Sequence, residues 1–245
     1  MYGICQQPVA TLRSEPNHAS EIVTQILYND TYEVLNDQKG FNWLKIKCSY
    51  DGYEGWLNRL QHQDLSEAEY DRLEAAKKYY VIKPTACVDG KILSFGTTLF
   101  KPHPDAVEAP STFSRSLMTG YARSFVGVPY LWGGKSVMGI DCSGFVQLCA
   151  KAAGFRLLRD ASQQVKSGET VYFLQEATAG DIAFFGNSEE DDRITHVGIL
   201  LSNEEIIHSS GCVKINKLDQ SGIFNQELGK HTHLLRVIKR IGYYR

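Results

Sequence analysis

The chain has 245 residues, with 26 Lys and Arg against 28 Asp and Glu for a formal net charge of −2. Interspersed charge of this kind argues against nucleic acid as a partner, since that needs a basic face. No apolar run approaches membrane-spanning length, and the opening Met1-Tyr2-Gly3-Ile4-Cys5 is not a basic segment followed by a hydrophobic one, so a cytoplasmic protein that does not engage membrane is expected. Two modest domains suit this length better than one large one.

From Val9 to Leu60, short apolar runs alternate with turns: Val9-Ala10-Thr11-Leu12, Ile22 to Leu27, Tyr32 to Leu35, Trp43 to Ile46 and Gly55-Trp56-Leu57. Five such runs predict a small β-barrel. Ser66-Glu67-Ala68-Glu69 is a capping box opening a helix to about Tyr80. Val81 to Phe100 reads as a hairpin around Asp89-Gly90. Pro102-His103-Pro104-Asp105 and Pro110 form a connector, and a helix follows from about Ser114 to Phe125. The expected domains are 1–61, a connector over 62–110 and a second domain over 111–245.

The chemistry concentrates in the last of these. After Asp141-Cys142-Ser143-Gly144, the apolar positions Phe145, Val146, Cys149, Ala152 and Ala153 keep a one-face helical spacing, with Gly154 as a stop. Cys142 then lies in the first turn, where free N–H groups and the positive dipole end favour a thiolate. Downstream, His196 opens the run to Leu201 and His208 lies in Glu205 to Ser210, with Ser202-Asn203-Glu204 as turn material, so a hairpin is predicted. The even spacing of the histidines puts both side chains on one face. A turn centred on Ser202 sets them directly opposite, with Cβ atoms roughly 5 Å apart. Such a pair suits a base that takes a thiol proton and a partner that holds its ring and tautomer. Taken singly, Cys142 reads as a small buried hydrophobe, and the histidines as one buried and one solvated side chain.

Tyr130-Leu131-Trp132-Gly133-Gly134, Asp141-Cys142-Ser143-Gly144-Phe145, Arg159-Asp160-Ala161-Ser162-Gln163-Gln164, Gly180-Asp181-Ile182-Ala183-Phe184-Phe185, His196-Val197-Gly198-Ile199 and His208-Ser209-Ser210-Gly211 occur in that order. Together they resemble the NlpC-type cysteine peptidases, papain-like enzymes that cut peptidoglycan stem peptides, over roughly residues 113–240. Leu12-Arg13-Ser14-Glu15-Pro16 and Asp51-Gly52-Tyr53-Glu54-Gly55-Trp56-Leu57 resemble a bacterial Src-homology-3-like barrel, a module that commonly precedes such domains. The implied fold class is α+β: a small N-terminal Src-homology-3-like barrel, then a papain-like peptidase domain with an antiparallel sheet.

By the same resemblance Cys142 is the nucleophile, His196 the general base and His208 the orienting residue. The implied reaction cleaves the bond from γ-D-glutamate to an L-diamino acid. Enzymes of this arrangement that require a free N-terminal L-alanine act on released stem peptides, in recycling, rather than on intact wall. A buried ammonium must then meet a carboxylate or lose its hydration uncompensated. The expected acids are Asp141, Asp160 and Glu21, with Tyr53 as a hydroxyl donor. Ser143 is expected to donate to the γ-glutamyl carboxylate, and Tyr130 to face the oxyanion with the Cys142 N–H. Trp132 is expected in the core.

No cofactor or metal is expected, and the partner is a small peptide met by a monomer. The six cysteines, Cys5, Cys48, Cys87, Cys142, Cys149 and Cys212, are scattered without a Cys-x-x-Cys pair and fit reduced thiols. Three other readings stay open: structural zinc on Cys142, His196, His208 and Asp141, an exported or non-catalytic wall-binding protein, and acyl transfer to an amine instead of water.

Overall fold

The computed structural model describes residues 1–37, 41–188 and 192–242. They form two compact units: Met1–Ala109 with Leu131–Ile140, and Pro110–Tyr130 with Asp141–Arg245. The residues expected as a connector therefore cluster with the barrel, and a short stretch just ahead of Cys142 does so as well.

In the first unit, β1 (Tyr2–Cys5), β2 (Val9–Arg13), β3 (Ile22–Leu27), β4 (Thr31–Asn36), β5 (Trp43–Cys48), β6 (Glu54–Asn58) and β7 (His62–Leu65) form one antiparallel sheet in the order β3-β2-β6-β5-β4-β1-β7. Alternate residues such as Ala10 and Leu12, or Leu44, Ile46 and Cys48, turn inward to one apolar core, as the two-residue period of a half-buried strand requires. The helix α1 (Glu67–Ala75) starts on the predicted capping box, with Ser66 and Glu69 bonded reciprocally.

It stops well before Tyr80. β8 (Tyr79–Val81) takes up the β-favouring Tyr-Tyr-Val run instead and pairs with β11 (Thr98–Leu99) and β12 (Ala106–Glu108). Between them, β9 (Thr85–Val88) and β10 (Lys91–Ser94) make the predicted hairpin, and Asp89 and Gly90 both have positive φ, as a two-residue primed turn demands. Val81, Ala86, Leu93 and Leu99 bury a second small core against Tyr28 of the barrel. That shared core is why the connector belongs to the barrel's unit. The strand pair β13 (Lys135–Ser136) and β14 (Gly139–Ile140) completes the unit, anchored by a hydrogen bond from the Lys135 N–H to buried Gln25 Oε1 of β3 at 2.8 Å.

The second unit opens with the predicted helix, α2 (Arg115–Arg123), capped by Ser114, and continues with α3 (Cys142–Ala152) and the single turn α4 (Ala161–Gln164). Its sheet runs β15 (Glu169–Val171), β21, β16 (Ile182–Gly186), β17 (His196–Leu200), β18 (Glu205–Ser210), β19 (Cys212–Leu218), β20 (Gly222–Asn225), where β21 is the long strand Lys230–Arg240. The strand β20 also pairs with the first half of β21, which closes a ring of six antiparallel strands. Ala183, Phe185, Leu200, Ile206, Leu218 and Ile223 fill its interior.

Every residue of α3 is buried, and its aromatic Phe145 packs edge-on against Phe125 at 5.6 Å. Asp181, wholly buried before β16, pairs with Arg115 of α2 and Arg240 of β21. Burial alone would raise its pKa, yet the arginines and the Thr178 N–H hold it below the usual carboxylate range. Among the described residues, no helix is long and apolar enough to cross a membrane.

Candidate active site

Cys142 is the first residue of α3, as the spacing predicts, and Asp141 is the N-cap, its Oδ1 accepting from the Gly144 N–H at 2.6 Å. The thiol is reached by the backbone N–H of Val197 in β17 and by that of Ser143. Helix start and strand start thus meet at one sulfur.

The electrostatics differ from the expected thiolate. Burial pushes the Cys142 thiol up to about 12, and the Asp141 carboxylate adds to this. The Val197 N–H, the Arg159 guanidinium and the Ser143 N–H act in the other direction without overcoming it. The first-turn dipole favours a thiolate only while water or a cation can share the charge. Here Cys142 is 8% exposed, and desolvation dominates.

Both histidines point to the interior of the strand ring, on the face that carries Leu200 and Ile206 further along the same strands. Their register is not the one expected. His208 lies opposite Gly198, because the hairpin turns about Asn203 rather than Ser202, so the two rings meet diagonally. Gly198 makes room for this arrangement: a Cβ there would sit 2.9 Å from the His208 Cβ and 2.7 Å from Ile206.

The result is a hydrogen-bonded chain. His196 Nε2 lies 2.8 Å from His208 Nδ1, and His208 Nε2 lies 2.9 Å from Asn216 Oδ1 on β19. The Asn216 amide nitrogen donates to the Phe224 carbonyl at 3.5 Å, which fixes Oδ1 toward His208. An amide oxygen only accepts, so His208 carries its proton on Nε2 and accepts on Nδ1. His196 therefore donates from Nε2 and is left with Nδ1 as an unprotonated base. Burial, reinforced by the two neighbouring imidazoles His208 and His233, holds His196 well below its usual range. Burial likewise lowers His208 to about 4. Burial thus favours the thiol and the neutral imidazole over their charged forms.

Tyr130 is held beside this group by a segment that runs along the start of β19, with its N–H donating to the Gly211 carbonyl at 2.9 Å and Pro129 bridging Cys212. Burial raises the phenol to about 12, with Cys142 and Asp141 contributing and Arg159 opposing. It is a neutral donor within electrostatic reach of the sulfur.

The sequence assigned Asp141 and Ser143 to the substrate, and the structure gives both internal partners. Arg159, 1% exposed, donates from Nη1 to Asp141 Oδ1 at 3.0 Å and from Nη2 to Oδ2 at 2.5 Å. It also reaches Ser143 Oγ at 2.9 Å, and that hydroxyl contacts Asp141 Oδ1 at 3.3 Å. The Gln164 amide ties the loop to the helix through the Ser143 and Leu158 carbonyls. Asp141 is thus a capping residue whose charge faces Arg159. Asp160 is half-buried at the start of α4.

Glu21 and Tyr53 belong to the first unit. Glu21 is exposed and accepts a hydrogen bond from Trp132 Nε1; Tyr53 is half-buried beside Asp51. Trp132 is 61% exposed, not the core residue expected of it, because the indole reaches outward to that carboxylate.

Three residues of the site escaped the sequence reading. Arg159 was visible only as part of a motif. Asn216 sits in an ordinary alternating strand, and its one signal is the even step from Leu218, which puts it on the interior face. His233 lies on β21, with its ring centroid 4.1 Å from that of His196.

A profile of the NlpC/P60 family matches residues 127–233, and one of the bacterial dipeptidyl-peptidase Sh3 domain matches residues 12–61. A Bacillus subtilis protein named γ-D-glutamyl-L-lysine dipeptidyl-peptidase is 45% identical over 218 residues, covering 77% of this chain and 72% of its own length. The chain belongs to the NlpC/P60 family. Members of this family are cysteine peptidases. A Bacillus cereus relative of the same name is 24% identical over 89% of this chain and 77% of its own. The crystal structure of an NlpC/P60 protein from Bacillus cereus superposes with a TM-score of 0.82 over 99% of this chain and 100% of that one, at 18% identity. The shared fold is the barrel module followed by the papain-like domain. As for the zinc reading, among the described residues no three His, Cys, Asp or Glu side chains are grouped so as to hold a metal ion.

Proposed function

We propose that this NlpC/P60 protein is a thiol endopeptidase that hydrolyses the γ-D-glutamyl–L-diamino acid bond of peptidoglycan stem peptides. It prefers those with a free N-terminal L-alanine, and it acts on released peptides in the cytoplasm as a recycling enzyme. One observation carries the chemistry: a helix-start cysteine is met by the N–H of Val197, the residue after a histidine whose Nε2 is committed to His208, itself held by Asn216, which leaves Nδ1 as the base. The names of the Bacillus relatives support the bond.

In this reading Cys142 attacks the γ-glutamyl carbonyl as its proton passes to His196 Nδ1. Because burial disfavours a preformed ion pair, transfer and attack proceed together. The Cys142 N–H and the Tyr130 hydroxyl stabilise the oxyanion. His196 then gives the proton to the departing amine, the C–N bond breaks, and water releases the dipeptide from sulfur. His208 orients His196 and is not a second base.

The substrate's ammonium is read by Asp160, since the charge of Asp141 is neutralised by Arg159. Ser143 can turn its hydroxyl to the substrate only by leaving the longer of its contacts, that to Asp141. A carboxylate set facing an ammonium rejects an acylated amine, which brings bulk and no charge. N-acetylating L-Ala-γ-D-Glu-L-Lys should therefore lower kcat/KM by about 10²-fold or more, and intact peptidoglycan should be a poor substrate. Equal rates on the free and acetylated peptides would overturn the proposed preference.

A further inference from the structure

We infer that His233 is a positioning residue of the thiol chemistry: its ring lies on the face of the His196 imidazole and keeps that ring aimed at the nucleophile. The inference rests on the catalytic reading of Cys142 and His196 above.

A histidine ring turns about χ2 in a broad, shallow well. Among the described residues the His196 ring has one hydrogen bond, through Nε2 to His208, and a ring held at one nitrogen can still pivot about that bond. In the catalytic reading, pivoting takes Nδ1 off the thiol it must deprotonate. A displacement of about 1 Å at a reacting group can cost about 10²-fold in rate, so something must hold the face.

Two rings do so. Phe185, the strand neighbour of His196, stands 6.0 Å away and is tilted. His233 is closer, at 4.1 Å between centroids with planes 33° apart, and it also meets His208 edge-on at 5.7 Å. No other aromatic contact to His196 among the described residues is as close as that of His233.

His233 is itself fixed. Its Nδ1 contacts Thr232 Oγ1 at 2.9 Å, and its backbone pairs with Ile223 in β20. The approach of β20 is close enough that Gly222, with φ +138°, has no room for a Cβ, which would fall 1.9 Å from the His233 carbonyl oxygen. Burial, with Lys214 contributing, lowers His233 to about 4, so at neutral pH the ring is an uncharged flat surface. What the site uses is the shape of the ring and not its proton. Phenylalanine should then replace it, while a side chain of similar volume without a flat face should not.

The test is to compare His233→Phe, His233→Leu and His233→Ala with the wild type on L-Ala-γ-D-Glu-L-Lys. We expect Phe to keep kcat within about 3-fold, and Leu and Ala to lose about 10- to 100-fold in kcat with KM unchanged. The rate of Cys142 alkylation by iodoacetamide, located by peptide mass spectrometry, should fall in parallel with kcat. If the alanine variant fails to fold, the Phe and Leu pair decides. Wild-type kcat in the Leu or Ala variant, a Phe variant as slow as Leu, or a loss confined to KM would each overturn the inference. An active Cys142→Ala protein would instead remove the catalytic reading itself, so the two failures are distinguishable.

Discussion

Cys142→Ala should lower kcat/KM on the stem tripeptide by about 10⁴-fold or more while leaving the melting temperature within a few degrees of the wild type. A methyl group in place of the thiol removes the only atom proposed to bond to the substrate, and no neighbour can take its place. The fold loses little, because the change removes one small group and Asp141, not Cys142, caps α3.

His196→Ala should come close to the same loss. His208→Ala should lose less, because it frees the ring and tautomer of His196 but leaves the base in place. These variants form a graded series. Equal losses at both histidines, or full activity in the cysteine variant, would contradict the roles assigned here.

Arg159→Met should destabilise the protein by about 3–5 kcal/mol, since it leaves Asp141 as a buried charge without its partner. Arg159 is 1% exposed and Asp141 7%, so water cannot take over. Activity should fall as well, because Asp141 raises the Cys142 thiol and Arg159 opposes it. The arginine therefore screens the nucleophile from the carboxylate that caps its own helix.

Adding Asp141→Asn to Arg159→Met removes the stranded charge while keeping an oxygen for the Gly144 N–H. The pair should recover part of the lost stability, a coupling measurable by a urea-unfolding double-mutant cycle. A single Arg159→Met variant as stable as the wild type would show that the pair is worth no more than its hydrophobic replacement.

Much of this site is written locally in the sequence. Helical spacing after Cys142 and the two-residue period around His196 and His208 depend only on neighbours in the chain, and the structure reproduces both. What the sequence left open depends on distant partners. The hairpin register turns on Gly198 leaving space for His208, a fact of cross-strand packing. The charge state of Cys142 follows from burial beneath other elements, which outweighs the helix-start effect that its position suggests.

Asn216 and His233 come from β19 and β21, each two strands away from β17 across the sheet. No spacing along the chain announces that. The fold shows the same division: the capping box at Ser66 and the Asp89-Gly90 turn are local and hold. The end of α1 is set by the pairing of Tyr79–Val81 with strands further on, and there the predicted helix overran.

The central claim is that Cys142 cuts one bond, between γ-D-glutamate and the diamino acid. Mass spectrometry of the products from L-Ala-γ-D-Glu-L-Lys, incubated with the wild type and with Cys142→Ala, tests it most directly. The account predicts L-Ala-γ-D-Glu and free lysine from the wild type, and intact tripeptide from the variant. Release of free alanine, or the same dipeptide from both proteins, would contradict it.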